Sequence, residues 1–199
     1  MRNFALLILL IVALGIDAVA INPPGTKKVK IDNTTIYVDQ EEINVADWLE
    51  YIRYLEHQYG KGSDELNAAF PDGITSKEMM VKMKLTNPIT GITLEQALKY
   101  CQWRTDVVNS VNEETGLGNV KYTLPTEAQY AQVIKLFGAY EILSARNKTE
   151  RIIGLQSNVF EMTAEGSVLK NNGAFSRDEK IPSENVGFRC IATVEKQRR

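Results

Sequence analysis

The sequence predicts one α+β domain that is helical in its middle, loop-rich and strand-forming at both ends, and stapled by a pair of cysteines. Three observations carry that expectation. The chain has 199 residues, 44% hydrophobic and 24% charged, enough apolar material for one core and too little length for two. Its clearest helical periodicity lies between Asn44 and Phe137, with β-branched alternation before it and short apolar runs punctuated by Gly, Asn and Ser after Gly138. Its two cysteines, Cys101 and Cys190, stand one in the helical part and one in the last apolar run.

Residues 1–20, MRNFALLILLIVALGIDAVA, join the basic Arg2 to an apolar run from Phe4 to Leu14 and end in Ala18-Val19-Ala20, the pattern of a secretory signal peptide cut before Ile21. The alternative is an uncleaved anchor, but such a run spans only about 16 Å as a helix, roughly half a bilayer core. No cysteine stands near the cleavage point, which argues against a lipid-anchored protein. The mature chain is expected to be secreted or periplasmic, a protein of the cell envelope with no stable membrane insertion. Its net charge of −2 offers no broad attraction to nucleic acid or anionic lipid. Export also changes the meaning of the cysteines. An oxidising compartment favours a bond between them over the alternative of two unrelated buried thiols, and closing a loop of 89 residues is worth roughly 4–5 kcal/mol in the chain-entropy model.

Residues 21–35 read as a lead-in, 36–194 as the domain and 195–199 as a solvated tail. INPPGTKK carries no periodicity and is expected to be extended or mobile. KVKIDNTTIYVD alternates and breaks at Asp32-Asn33, which predicts two short strands around a turn. In NVADWLEYIRYLEHQYG, Asn44 caps a helix whose buried side is Val45, Trp48, Leu49, Ile52, Leu55 and Tyr59, and Gly60 ends it. The single histidine, His57, falls opposite that stripe and is expected to face water. GKGSDELNAAFPDG reads as a loop, and TSKEMMVKM as a short helix begun by Thr75 or Ser76, with Met79, Met80 and Met83 as core filler. Thr93 and Gln96 form a capping box, followed by Leu94, Ala97, Leu98 and Cys101 on one face. Thr126 and Gln129 repeat the device with Pro125 just outside, and Tyr130, Val133, Ile134 and Phe137 supply the buried side.

Motifs of chemistry are scarce. The sequence has no Gly-rich phosphate loop, no C-x-x-C, no nucleophile elbow and no helical zinc motif, and one exposed His57 is a poor base for a catalytic triad. The acidic pairs Glu41-Glu42 and Glu113-Glu114, and Glu127, are expected on solvated faces, since nothing places two of them in a shared pocket. Asn33 and Asn147 each head a glycosylation sequon, which matters only in a glycosylating secretory pathway.

Several blocks in order resemble the formylglycine-generating enzymes, or sulfatase-modifying factors, whose fold is related to C-type lectins. EINVADWLEYI is similar to the family's E-V-T-N-x-x-Y-x-x-F helix start, PITGITLEQALKYCQW to its P-V-x-x-V-S-W-x-D-A-x-x-Y-C-x-W, and YTLPTEAQYAQV to its R-L-P-T-E-A-E-W-E. SNVFEMT stands where the family has G-N-V-W-E-W-T, NNGAF where it has R-G-G-S-W, and NVGFRCIA where it has N-L-G-F-R-C-A. The resemblance covers about residues 36–194. It implies a formylglycine-generating-enzyme-like, C-type-lectin-like domain in which Leu124, Pro125, Thr126, Glu127, Gly187, Phe188 and Arg189 are structural. It also implies a disulfide between Cys101 and Cys190, which match the A-Y-C and G-F-R-C cysteines.

The same resemblance argues against the family's reaction. Active members hold copper with two further thiols between G-G-S-W and G-F-R-C; here Ser176 to Val186 is short and contains no cysteine. Copper(I) needs soft ligands of that kind. The expectation is therefore a pseudoenzyme with no catalytic residues and no cofactor, which binds a protein, peptide or glycan or serves an envelope assembly. The alternatives are a sulfatase-modifying enzyme or other oxidoreductase of the fold, and a lectin-like receptor with a variable face over Asn171 to Glu184. Asn158 and Glu161, in the block that contributes to calcium binding in some members, are weak calcium candidates because that ion takes about six to eight oxygens.

Overall fold

Alternating β-branched residues build the first hairpin. β1 (Thr26–Ile31) pairs antiparallel with β2 (Thr34–Asp39), from Thr26 opposite Asp39 to Ile31 opposite Thr34, and Asp32 makes the turn at φ 51°, a conformation its short polar side chain tolerates. The computed structural model describes residues 22–71, 74–75, 78–79, 81, 83–111, 116–137 and 152–195. The signal peptide, Met80, Ser76, Glu113-Glu114, Asn147 and residues 196–199 of the tail lie outside them. β1 begins within the stretch read as an extended or mobile lead-in. That stretch is tied down: Thr26 Oγ1 donates to Pro23 O, Gln40 N to Gly25 O, and Arg104 Nη2 to Pro24 O.

The strand formed last in sequence sits inside the first sheet. β8 (Ile191–Glu195) pairs antiparallel with both β2 and β3 (Asn119–Thr123), giving the order β1-β2-β8-β3. Because side chains alternate across strands, Val29, Ile36, Val38 and Ile191 share one face and pack with Tyr130 and Val133 of a helix over Glu127–Phe137. Tyr122, Val120 and Ala192 share the other, with Ala97, Tyr100, Cys101 and Val108 of a helix over Leu94–Ser110. Helices thus cover both faces, and residues at either parity of the central strands are buried.

The helices that the described residues show from end to end are α1 (Val45–Tyr59), α2 (Asp64–Asn67), α3 (Leu94–Ser110) and α4 (Glu127–Phe137). Asn44 caps α1 through a reciprocal box with Asp47, and Thr93–Gln96 and Thr126–Gln129 form the two expected boxes. Thr75 and Glu78 exchange the same pair of bonds before the turn that buries Met79. Four expectations need correction. The 60–73 loop contains the single-turn α2, started by Ser63. Tyr59 is 53% exposed, because it closes the last turn of α1, and Tyr51 takes its place in the core. Leu98 is 44% exposed, since the inward face of α3 runs through Ala97, Cys101 and Val108, and Ile134 and Phe137 are only partly buried. No helix of the described residues is long and apolar enough to cross a membrane.

The second sheet is small, in the order β6-β5-β4-β7, built from β4 (Phe160–Met162), β5 (Val168–Leu169), β6 (Phe175–Ser176) and β7 (Val186–Gly187). β4 pairs parallel with β7 and antiparallel with β5. The link from β7 to β8, Phe188 to Cys190, carries the chain from this sheet into the first one, so the residues of that link meet both. The fold is α+β with two small sheets.

Candidate functional site: two buried polar clusters flanking the β7–β8 link

Three residues of that link point into different surroundings. Phe188 joins an aromatic cluster, with its ring centroid 6.2 Å from Trp48 and 5.5 Å from Tyr100, both edge to face. Gly187, just before it, allows close packing: a Cβ there would fall 2.9 Å from Ile89 O and 3.0 Å from Val159 Cγ2. Arg189 and Cys190 each anchor a polar cluster.

Arg189 is fully buried, and each of its three nitrogens is paired. Its Nε and Nη2 donate to Glu161 Oε2 and Oε1 at 2.7 and 2.6 Å, Nη1 donates to Asp39 O, and Nη2 also donates to Ile153 O. Tyr130 of α4 donates to Glu161 Oε2. Burial pushes the Tyr130 hydroxyl far above its usual range, so it stays a donor. Glu42 lies in the same cluster, where its Oε1 accepts from Asn158 Nδ2 at 3.3 Å. It is 7% exposed, which corrects the expectation of a solvated Glu41-Glu42 pair: Glu41 faces water and Glu42 does not. Its carboxyl group is pushed up to about 7, first by burial and then by Glu161, with Arg189 pulling the other way.

The calcium candidates are placed apart in role. Both oxygens of Glu161 are taken by the Arg189 guanidinium, and the Asn158 amide, on a residue at φ 70°, turns to Glu42 instead. Among the described residues no group of three or more His, Cys, Asp or Glu side chains is arranged to hold a metal ion.

Cys190 anchors the second cluster. Its sulfur lies 3.3 Å from that of Cys101, both side chains buried, so the two expected partners do face each other. They stand as free thiols, beyond the roughly 2.05 Å of a covalent bond, so the expected disulfide is not formed here. Burial, reinforced by Cys101, pushes the Cys190 thiol well above its usual range, which starves it of the thiolate needed for nucleophilic attack or metal binding. Asp39, 3% exposed, accepts from the Cys190 backbone N–H at 2.8 Å and from Arg104 Nη1 at 2.7 Å through the same Oδ2. The Arg104 guanidinium stacks 4.2 Å from the centre of the Tyr122 ring.

The residues of the LPTE block are also engaged in packing and pairing. Leu124 is 1% exposed, and Pro125 O accepts from Ala164 N. Thr126 caps α4, and Glu127 Oε1 accepts from Ser167 Oγ and Arg177 Nη2, fastening α4 to the β4–β5 turn. His57 is exposed on α1, and Asn33 is exposed at the hairpin turn.

Reading the sequence missed Glu42, Asp39, Arg104 and the partner of Arg189. For Asp39 and Arg104 a signal existed. Asp39 shares the parity of Tyr37 in β2, so it is buried once both sheet faces are covered, and Arg104 lies one helical turn beyond the inward Cys101. No family model and no curated protein matches the chain.

Proposed function

We propose that this chain is an exported, non-catalytic member of the sulfatase-modifying-factor family, with the C-type-lectin-like fold of that family, which acts by binding a partner in the cell envelope or outside it. One observation carries the reading. The residues that match the family's motifs are used up in holding the scaffold: Glu161 by Arg189, Glu127 by Ser167 and Arg177, and Cys190 by its face-to-face contact with Cys101. Copper chemistry of the family's kind needs two further thiolates, and the sequence between Ser176 and Val186 supplies none.

In this reading Cys101 and Cys190 become joined during export. A thiol oxidase disulfide accepts the two electrons and two protons, and one S–S bond replaces two S–H bonds. The binding surface is the loop region from Asn171 to Glu184, in which Asn171, Asn172, Arg177, Asp178, Lys180 and Glu184 are all exposed. That exposure also favours the lectin-like receptor as a second reading.

The test is direct. Purified protein incubated with copper(I), oxygen and a cysteine-containing sulfatase peptide is expected to yield no formylglycine by mass spectrometry, and turnover would overturn the proposal. Glycan and peptide arrays then divide the two binding readings. A saturable glycan signal abolished by substitutions at Asn171 and Asn172 identifies the receptor, whereas an envelope subunit binds no array and co-purifies with a stoichiometric protein partner.

A further inference from the structure

We propose that the outer edge of β1 docks an extended segment of a partner protein, alternately acidic and apolar, which joins the first sheet as an added strand. The two edges of that sheet are finished differently. In the order β1-β2-β8-β3, the β3 edge is closed by side chains of α3. Asn109 Nδ2 donates to Val120 O at 2.7 Å, Asn109 Oδ1 accepts from Val120 N at 2.9 Å, and Thr105 Oγ1 accepts from Tyr122 N at 2.9 Å. One side-chain amide thus stands in for the peptide group of a neighbouring strand. The β1 edge has no such cover. Asp39 N donates to Cys190 O, so the odd-numbered residues of β2 turn their backbone groups to β8 and the even-numbered ones turn theirs to β1. Ile36 meets Val29 and Val38 meets Lys27 across the register, which leaves Thr26, Lys28 and Lys30 facing outward. Thr26 N is taken by Pro23 O. Among the described residues nothing bonds the outward N–H and C=O groups of Lys28 and Lys30, and neither ammonium group has an ion-pair partner.

The side chains on this edge select the occupant. Lys28 and Lys30 project from one face of β1, and both are exposed. Their ammonium groups repel a second copy of β1 and any basic strand, the usual guard of an edge against self-pairing. They attract a strand that sets carboxylates directly opposite, because cross-strand pairs of opposite charge are favourable and pairs of like charge are not. On the other face Val29 is buried, whereas Ile31 and Phe137 of α4 are only partly so; the Lys27 ammonium lies 5.2 Å from the centre of the Phe137 ring, which places that ring beside β1. An added antiparallel strand lays every second side chain along Ile31 and Phe137 and so extends the core that β1 shares with α4. The partner's segment is therefore acidic on one face and apolar on the other, with its main chain held by Lys28 and Lys30. This edge belongs to the first sheet, whereas the 171–184 loops flank β6 of the second, so either surface can bind when the other does not.

The probe is the capped peptide Glu-Val-Glu-Val-Glu-Val-Glu, added to the purified protein at neutral pH and followed by amide NMR and hydrogen exchange. The expected result is saturable binding in which the Lys28 and Lys30 amides shift and gain about tenfold in protection. The Val120 and Tyr122 amides, already bonded to α3, should not respond. A copy of the peptide N-methylated at every glutamate lacks the donors that face β1 and is expected not to bind, and a copy with Lys in place of Glu is expected not to bind either. Joint substitution Lys28→Ala and Lys30→Ala should weaken binding about tenfold through the loss of two cross-strand charge pairs. The proposal is overturned if neither amide responds, or if the N-methylated peptide binds equally well, since charge attraction alone then suffices. It is also overturned if the folded double variant binds as tightly, or if the protein without peptide sediments as a dimer whose Lys28 and Lys30 amides are already protected, since a second copy then covers the edge. The peptide comparisons are made on the unsubstituted protein, so the test stands even if the variant does not fold.

Discussion

Arg189 binds together three parts of the chain that are far apart in sequence: the end of β2 through Asp39 O, the 152–158 segment through Ile153 O, and β4 through Glu161. Replacing it with Met removes all three and strands a buried carboxylate. That class of change costs about 3–5 kcal/mol. Urea denaturation of Arg189→Met should therefore show a loss of that order, and a loss below about 1 kcal/mol would mean that the pair is not a structural anchor. Glu42 acts on stability with the opposite logic. Its folded value near 7 lies above the ordinary 4.5, so across that window the folded chain holds a proton that the unfolded chain has released. Its contribution is fully present below about pH 4.5 and lost as pH rises through about 7, a fall approaching about 3 kcal/mol. Denaturation midpoints measured from about pH 4 to 8 should decline on this account, and Glu42→Gln should flatten the decline; a slope unchanged in that variant contradicts the assignment. None of this was legible beforehand. Glu42 has an exposed neighbour of the same type, and its burial depends on a segment more than a hundred residues away.

At the scale of elements, what could be read was what is local. The Thr93–Gln96 and Thr126–Gln129 boxes bond across three residues, so the spacing alone reveals them, and the stripes of α1 and α4 follow from a 3.6-residue period. Asn44–Asp47 escaped only because its partner is Asp rather than Glu or Gln. Gln96 shows where local reading stops. Besides closing its box it donates to Ala68 O at 2.9 Å and Phe70 O at 2.8 Å, joining the start of α3 to the chain after α2. Thr93→Ala should cost about 1 kcal/mol, the usual value of a lost cap. Gln96→Ala should cost about 2 kcal/mol, because the partly buried carbonyls of Ala68 and Phe70 lose their donor as well. Thermal or chemical denaturation that ranked them the other way would show that the carbonyls find other partners. Leu98 and Tyr59 were misplaced because a periodic pattern fixes which residues share a stripe only to about one position, and the packing partner decides its edges.

Across the whole molecule, the order β1-β2-β8-β3 was out of reach of periodicity, since it inserts the final strand between two earlier ones. The general consequence was still visible in part. Cys101 was expected to face inward and to meet Cys190, and the two sulfurs do lie 3.3 Å apart. What the sequence could not convey is their setting, with Asp39 holding the Cys190 amide and Arg104 in turn, so that β2, α3 and the β7–β8 link converge on one buried point. Joining the sulfurs would close a loop of 89 residues across that point, worth roughly 4–5 kcal/mol if the bond forms without strain. Oxidised protein should accordingly unfold at higher urea than the reduced form, and equal midpoints would mean that the bond strains the fold as much as it restrains the unfolded chain.

The most direct measurement of the central claim is a count of titratable thiols in exported protein, denatured without reductant. The account predicts none before reduction and two after it, with Cys101 linked to Cys190 in the peptide map. Two thiols reacting before any reductant is added would contradict it.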